Sequence, residues 1–156
     1  MFPNKIKIYQ YVPGFAIIIG VCFSILSGIQ SFAYIAIFYW SVFRSDFVPI
    51  SLLVGLGLIC DSLSGHLLGE ETFIYLALMS IIHMDRRFLL HKEFNYLWQS
   101  IGSLIVVIGV GKWLLAFQLK MPFSMTYQLF DVVVGILWFP VWVKLMAPLY
   151  SRFATL

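Results

Sequence analysis

Three ionisable residues, Asp61, Lys112 and Asp131, lie within long apolar segments of the 156-residue chain. A carboxylate or an ammonium group surrounded by apolar side chains loses its hydration, which costs free energy unless another charge offsets the loss. An ion pair between Lys112 and one or both aspartates would provide that offset, so we predict a buried polar cluster of these three residues. Such a cluster could fix the packing of helices, form a polar pocket, or contact a helix of another protein.

Glycines accompany Asp61 at the spacing of an α-helix. The segment between residues 57 and 69 reads GLICDSLSGHLLG, in which the glycines at 57, 65 and 69 fall on the helical face of Asp61. Glycine and serine allow two helix backbones to approach closely. We therefore predict a helix-packing or partner-binding surface formed by Gly57, Asp61, Ser64, Gly65 and Gly69.

The sequence lacks the common motifs of catalytic sites. No Gly-x-Ser-x-Gly elbow, phosphate-binding loop or His-Glu-x-x-His motif occurs. One group of potential metal ligands has a spacing that matches no common metal site, and we interpret its members as solvated residues: His83, Asp85, His91 and Glu93. We predict a protein that is not an enzyme and that needs no metal ion or cofactor.

The composition indicates an integral membrane protein. Hydrophobic residues make up 62% of the chain and charged residues 11%, whereas soluble domains carry about 25% charged residues. The net charge of +3 does not indicate nucleic-acid binding, because the basic residues stand singly or in small groups at the ends of apolar runs. That placement is typical of the residues that orient helices in a membrane.

The apolar runs divide the chain into six segments. A helix needs about 20 apolar residues to cross a hydrocarbon core of about 30 Å. We interpret Glu70 and Glu71 as a water-facing turn between the third and fourth segments. We predict a single polytopic domain over residues 1–156, an all-α bundle of six transmembrane helices at about 12–28, 31–43, 48–67, 72–84, 96–119 and 127–146.

The basic residues predict the orientation of this bundle. Cytoplasmic loops of membrane proteins carry an excess of lysine and arginine. Fusing the first two segments gives five helices and puts two N-terminal lysines outside, which fits the rule less well. With six helices and both termini in the cytoplasm, only Lys120 lies outside and eight basic residues lie inside: Lys5, Lys7, Arg44, Arg86, Arg87, Lys92, Lys144 and Arg152.

Aromatic residues are expected to mark the inner interface of the membrane in this orientation. Tryptophan and tyrosine side chains are enriched where the hydrocarbon meets the headgroups. Five of them fall near the cytoplasmic ends of the predicted helices, and we expect them to form an aromatic belt: Tyr39, Trp40, Tyr96, Trp98 and Trp142.

Two stretches of the sequence resemble a known family. Near the C-terminus, the stretch Gly135-Ile136-Leu137-Trp138-Phe139-Pro140 is similar to a Gly-x-Leu-Trp-Pro-like stretch of the bacterial rod shape-determining protein MreD. Earlier in the chain, the resemblance lies in an ordered series of elements: Phe38-Tyr39-Trp40, a short basic turn, Pro49, and Gly57-x3-Asp61-x2-Ser64-Gly65-x3-Gly69.

The resemblance implies a multi-pass protein of the bacterial cytoplasmic (inner) membrane, with a fold similar to that of the substrate-binding subunits of energy-coupling-factor vitamin transporters. It implies a non-catalytic scaffold subunit of the elongation complex, which inserts peptidoglycan along the side wall and regulates cell shape. The implied partner is MreC, and through it MreB, RodA and a class B penicillin-binding protein. Membrane lipid is the other expected contact, and nucleic acid is not expected.

A substrate-binding subunit of a small-molecule (vitamin) transporter is the alternative. Such a protein needs a cavity with several polar groups that face the periplasm. The sequence offers four candidates for that role, namely Asp61, Lys112, Asp131 and His66. Those subunits also use an alanine-rich face of the first helix, whereas the first segment here contains one alanine, Ala16.

Overall fold

The chain folds into helices. The computed structural model describes residues 11–44, 48–64, 67–89, 91, 93–120 and 124–154. Within these residues there are six helices and no strand, which confirms the predicted all-helical fold. In chain order the helices are α1 (Val12–Ser27), α2 (Ser31–Arg44), α3 (Ile50–Ser64), α4 (Glu70–Leu89), α5 (Phe94–Leu119) and α6 (Met125–Ala154).

The helix ends differ most from the predicted segments around α4 and α6. Helix α4 begins at Glu70 and continues to Leu89, whereas the sequence predicted residues 72–84. Its first turn carries two glutamates and its last turn carries two arginines, an arrangement that favours a helix through its macrodipole. Helix α6 runs through Pro140 and Pro148 without ending, so it is longer than the predicted 127–146.

Helix α2 lies at the centre of the molecule. Every residue from Ser31 to Val42 is buried, and α2 packs against α1, α4, α5 and α6. The predicted aromatic belt is therefore wrong for Tyr39 and Trp40, whose side chains pack inside the bundle. Trp142 is also buried, while Tyr96 and Trp98 on α5 are 40% and 36% exposed.

The outer surface of the bundle is strongly apolar. Large hydrophobic side chains are exposed on the five helices other than α2; Phe15, Phe73 and Phe117, for example, are 66%, 74% and 75% exposed. Among the described helices, α5 and the Met125–Pro148 part of α6 are long and apolar enough to cross a membrane. In each of them 22% of the most apolar stretch is buried, and the rest is partly or fully exposed. The coarse expectation of membrane-helix character is met for these two helices by length and composition.

Candidate functional site

An ionic network lies inside the bundle and joins three helices. Lys112 on α5 is 7% exposed and forms an ion pair with Glu71, which lies in the first turn of α4 and is fully buried. Lys112 also donates to the side-chain oxygen of Gln30 in the connection before α2. The hydroxyl group of Tyr34 on α2 donates to Glu71, with its oxygen 3.0 Å from Oε2 and 3.2 Å from Oε1.

Tyr34 contributes to this network through its ring as well. The Nζ atom of Lys112 lies 5.6 Å from the centroid of the Tyr34 ring, within the range of a cation–π interaction. A second aromatic ring, that of Tyr75 on α4, meets the Tyr34 ring edge-on at a centroid distance of 6.1 Å. The buried ammonium group is thus surrounded by a carboxylate, an amide oxygen and an aromatic face.

The partner of Lys112 differs from the predicted one. An ion pair with Asp61 or Asp131 was expected, and that prediction is wrong because Lys112 pairs with Glu71. The interpretation of Glu71 as part of a water-facing turn is wrong for the same reason. Since α4 already begins at Glu70, Glu71 occupies a helical turn whose inner side faces the bundle.

Asp61 caps the N-terminus of α4 from the neighbouring helix α3. Its Oδ2 atom accepts a hydrogen bond from the backbone N–H of Gly69 at 2.8 Å, and its Oδ1 atom accepts one from the backbone N–H of Glu71 at 2.9 Å. Gly69 has a φ of +96°, a backbone conformation that residues other than glycine rarely adopt. Asp61 is 1% exposed, so its charge is stabilised by these two amides and by the positive end of the helix dipole.

Asp131 holds the N-terminus of α2 in a similar way from α6. Its Oδ1 atom accepts a hydrogen bond from the backbone N–H of Ser31 at 3.1 Å, and the Ser31 hydroxyl lies 3.0 Å from Oδ2. Gly135 follows on the same face of α6, where a Cβ atom would come 2.5 Å from the Cβ of Ser31. The two helices therefore approach closely at the residue that Asp131 caps.

Each of the three predicted charges thus has a role within the chain. Lys112 neutralises Glu71, while Asp61 and Asp131 accept hydrogen bonds from the first turns of two helices. Such bonds to ionised groups are stronger than neutral ones. Within the described parts of the chain, no group of three or more His, Cys, Asp or Glu side chains is arranged to hold a metal ion.

The predicted glycine surface is divided between two places. Gly57 faces α4, and a Cβ atom on it would come 2.5 Å from the Cα of Thr72. Gly69 lies in the connection after α3 has ended at Ser64, so it does not share a helical face with Gly57. Ser64 is exposed, and Gly65 lies outside the described residues. The close approach at Gly57 is therefore made by α4 of the same chain.

We expect Gly57→Ala to destabilise the protein by about 1–3 kcal/mol, because the added methyl group meets the backbone of Thr72. Gly55→Ala is the matched control, since no atom of the described residues lies within 4 Å of a Cβ atom at that position of the same helix. It should stabilise α3 by up to about 1 kcal/mol through helix propensity. Unfolding followed by circular dichroism in detergent would measure both changes, and equal stability of the two variants would contradict this packing.

Sequence reasoning missed Glu71, Gln30 and Tyr34. A signal for Glu71 was present, since it begins the buried stripe of α4, which continues with Tyr75, Leu78 and Ile82. These residues follow one another at intervals of three or four, the spacing of one helical face. Gln30 and Tyr34 carry no comparable signal, because their role depends on the central position of α2.

Comparison of the chain with protein-family models, with curated proteins and with solved structures gives no match. The contacts described above and the resemblance of the sequence motifs are the observations that bear on its function.

Proposed function

We propose that the chain is a non-catalytic, multi-pass membrane scaffold of the bacterial cell-wall elongation complex, a role like that of MreD. The observation that carries the proposal is the distribution of polarity. Charged groups meet one another inside the bundle, whereas the outer surface carries large apolar side chains on five helices. Apolar surface of that extent is typical of a protein that contacts lipid or other membrane helices.

The bundle accommodates helices that are too short to cross a membrane alone. Helix α2 has 14 residues and is about 21 Å long, against a hydrocarbon core of about 30 Å. Because other helices surround it, its ends contact protein groups such as Asp131. In the proposed orientation both termini are cytoplasmic, and Asp61, Lys112 and Asp131 lie in the outer half of the membrane. Lys5, Lys7 and Lys92, which also support this orientation, lie outside the described residues.

The contacts favour a scaffold over the alternative of a vitamin-binding transporter subunit. A small-molecule site needs polar groups that converge on a cavity. Asp61, Lys112 and Asp131 instead bond to groups of the same chain, and His66 lies outside the described residues. An increase in melting temperature on addition of a vitamin would reverse this preference.

Depletion of the protein should convert rod-shaped cells of the source bacterium into round ones. The tagged chain, purified from native membranes in mild detergent, should recover MreC. Re-expression of the chain with Lys144→Met, a change at an exposed residue of α6, serves as a control that should restore the rods. Cells that remain rod-shaped after depletion, or a preparation that contains no MreC, would contradict the proposed function.

A further inference from the structure

A long groove runs between α4 and α5. One cavity of about 520 Å³ occupies the part nearest Glu70 and Lys112, and a second of about 180 Å³ lies near Asp85 and Tyr96. Ile81 and Leu104 line both cavities, so the two adjoin. The helices α4 and α5 make few direct contacts along this length.

Helix α4 presents a complete helix-packing stripe to the groove. The α4 residues that line the larger cavity recur at i, i+3, i+4, i+7, i+8 and i+11, a spacing that places them on one face of the helix over three turns. Most of them are apolar, and the stripe consists of Glu70, Phe73, Ile74, Ala77, Leu78 and Ile81.

Helix α5 presents an equivalent stripe from the other side. The same intervals recur along it, with one charged residue near the end of the stripe. Its members are Leu104, Val107, Ile108, Gly111, Lys112 and Leu115. Two facing stripes of this kind, separated by a cavity, are arranged to receive an additional helix.

The length of the groove matches a membrane-spanning helix. From Glu70 to Phe88 helix α4 rises about 27 Å, and from Tyr96 to Leu115 helix α5 rises about 28 Å. These lengths are close to the full hydrocarbon thickness of about 30 Å. A single acyl chain occupies one leaflet, about half of that thickness, so it would fill only part of the groove.

Acidic side chains line the groove at both ends and suit a helix with basic flanking residues. Glu70 lines the groove at one end and Asp85 at the other. Membrane-spanning helices commonly carry lysine or arginine next to the hydrocarbon, especially on the cytoplasmic side. Glu70 and Asp85 are therefore placed to pair with such flanking charges.

A glycine allows close approach along the groove. Gly111 lies on the α5 stripe, and a Cβ atom on it would meet nothing within 4 Å. Ala77 is the smallest residue on the α4 stripe. Small residues at such positions let the backbone of a second helix come near, and none of the described residues fills the space beside Gly111.

We infer that the groove between α4 and α5 is the docking site for one transmembrane helix of a partner, an apolar helix with basic residues at its ends. The inference rests on the proposed function, under which MreC is the partner. The docking surface is then the open face beside Gly111, and not the glycine face of α3 predicted from the sequence, against which α4 packs at Gly57.

The test is co-purification of MreC from the same bacterium, co-expressed with the full chain. Gly111→Trp should reduce the recovered MreC by on the order of tenfold, because the indole would occupy the groove. Gly55→Trp is the matched control, since that glycine also has open space around it, and it should recover as much MreC as the unaltered chain. Melting of both variants in detergent shows whether each is folded.

A photoreactive residue at Val107 provides a measurement that does not depend on blocking the groove. Val107 lies in the groove and is 66% exposed, whereas Val133 on α6 is 53% exposed and serves as the control position. Crosslinks to the MreC helix from position 107 and not from 133 are expected. Recovery of MreC with crosslinks to lipid alone at 107, or full recovery by Gly111→Trp, would overturn the inference and leave the proposed function standing. If the unaltered chain recovers no MreC, the proposed function fails, and this inference with it.

Discussion

Lys112→Met is expected to lower the free energy of unfolding by about 3–5 kcal/mol, because it removes the cation that pairs with the buried carboxylate of Glu71. Glu71 is fully buried, and the hydroxyl group of Tyr34 also donates a hydrogen bond to it. Unfolding in detergent, followed by circular dichroism, would measure the loss. Lys144→Met, at an exposed residue of α6, should change stability by less than about 0.5 kcal/mol.

A double-mutant cycle identifies the partner of Lys112. Glu71→Met alone should also be destabilising, since it leaves the ammonium group of Lys112 buried with Gln30 as its acceptor. Combining Lys112→Met with Glu71→Met removes both charges, so the double variant should lose less stability than the sum of the two single variants. We expect a coupling energy of about 1–3 kcal/mol. A larger coupling between Lys112 and Asp61 than between Lys112 and Glu71 would contradict the observed pairing.

The sequence was sufficient to predict which helices exist, because composition and charge alone divide the chain into apolar segments. The buried states of Asp61, Lys112 and Asp131 follow from their apolar surroundings in the same way. The partner of Lys112 was missed although Glu71 begins an apolar helical stripe, since Glu71 follows Glu70 and a pair of acidic residues ordinarily faces water. Whether Glu71 faces water or the bundle is set by where α4 starts. That start is capped by Asp61, which lies eight residues before Gly69 and accepts a hydrogen bond from its amide.

The central position of α2 also could not be predicted from the sequence. Tyr39 and Trp40 are residue types that occur both at membrane interfaces and in protein cores. Their burial follows from the packing of other helices around α2, which no local pattern shows. The same packing explains why a helix of 14 residues is stable there: Asp131 accepts from its first turn, and the Nε atom of Arg86 donates to the carbonyl oxygen of Val42 near its end, at 3.1 Å. A negative and a positive group thus lie at the ends where the helix dipole favours them.

Asp61→Leu should be the second severe change, with a loss of about 3 kcal/mol or more. Leucine fills a similar space but removes the acceptor of two backbone N–H groups, that of the buried Glu71 and that of the half-buried Gly69. A buried unsatisfied group costs about 1–3 kcal/mol. Asp61→Asn keeps one acceptor oxygen and should lose less. Ser62→Leu is the neighbouring control, because Ser62 is exposed and its hydroxyl donates to the carbonyl oxygen of Leu58 in the same helix.

Hydrogen exchange would distinguish the loss of this cap from a general loss of stability. If Asp61 acts by holding the first turn of α4, the amides of residues 69–73 should exchange faster in Asp61→Leu under conditions in which α5 and α6 remain protected. Lys112→Met, by contrast, removes a side-chain charge and leaves the two amide bonds to Asp61 in place. Unchanged exchange at 69–73 in Asp61→Leu would contradict the capping role. Because the first turn of α4 also carries Glu71, loss of the cap should loosen the ion pair with Lys112, so the two largest predicted effects meet at one helix terminus.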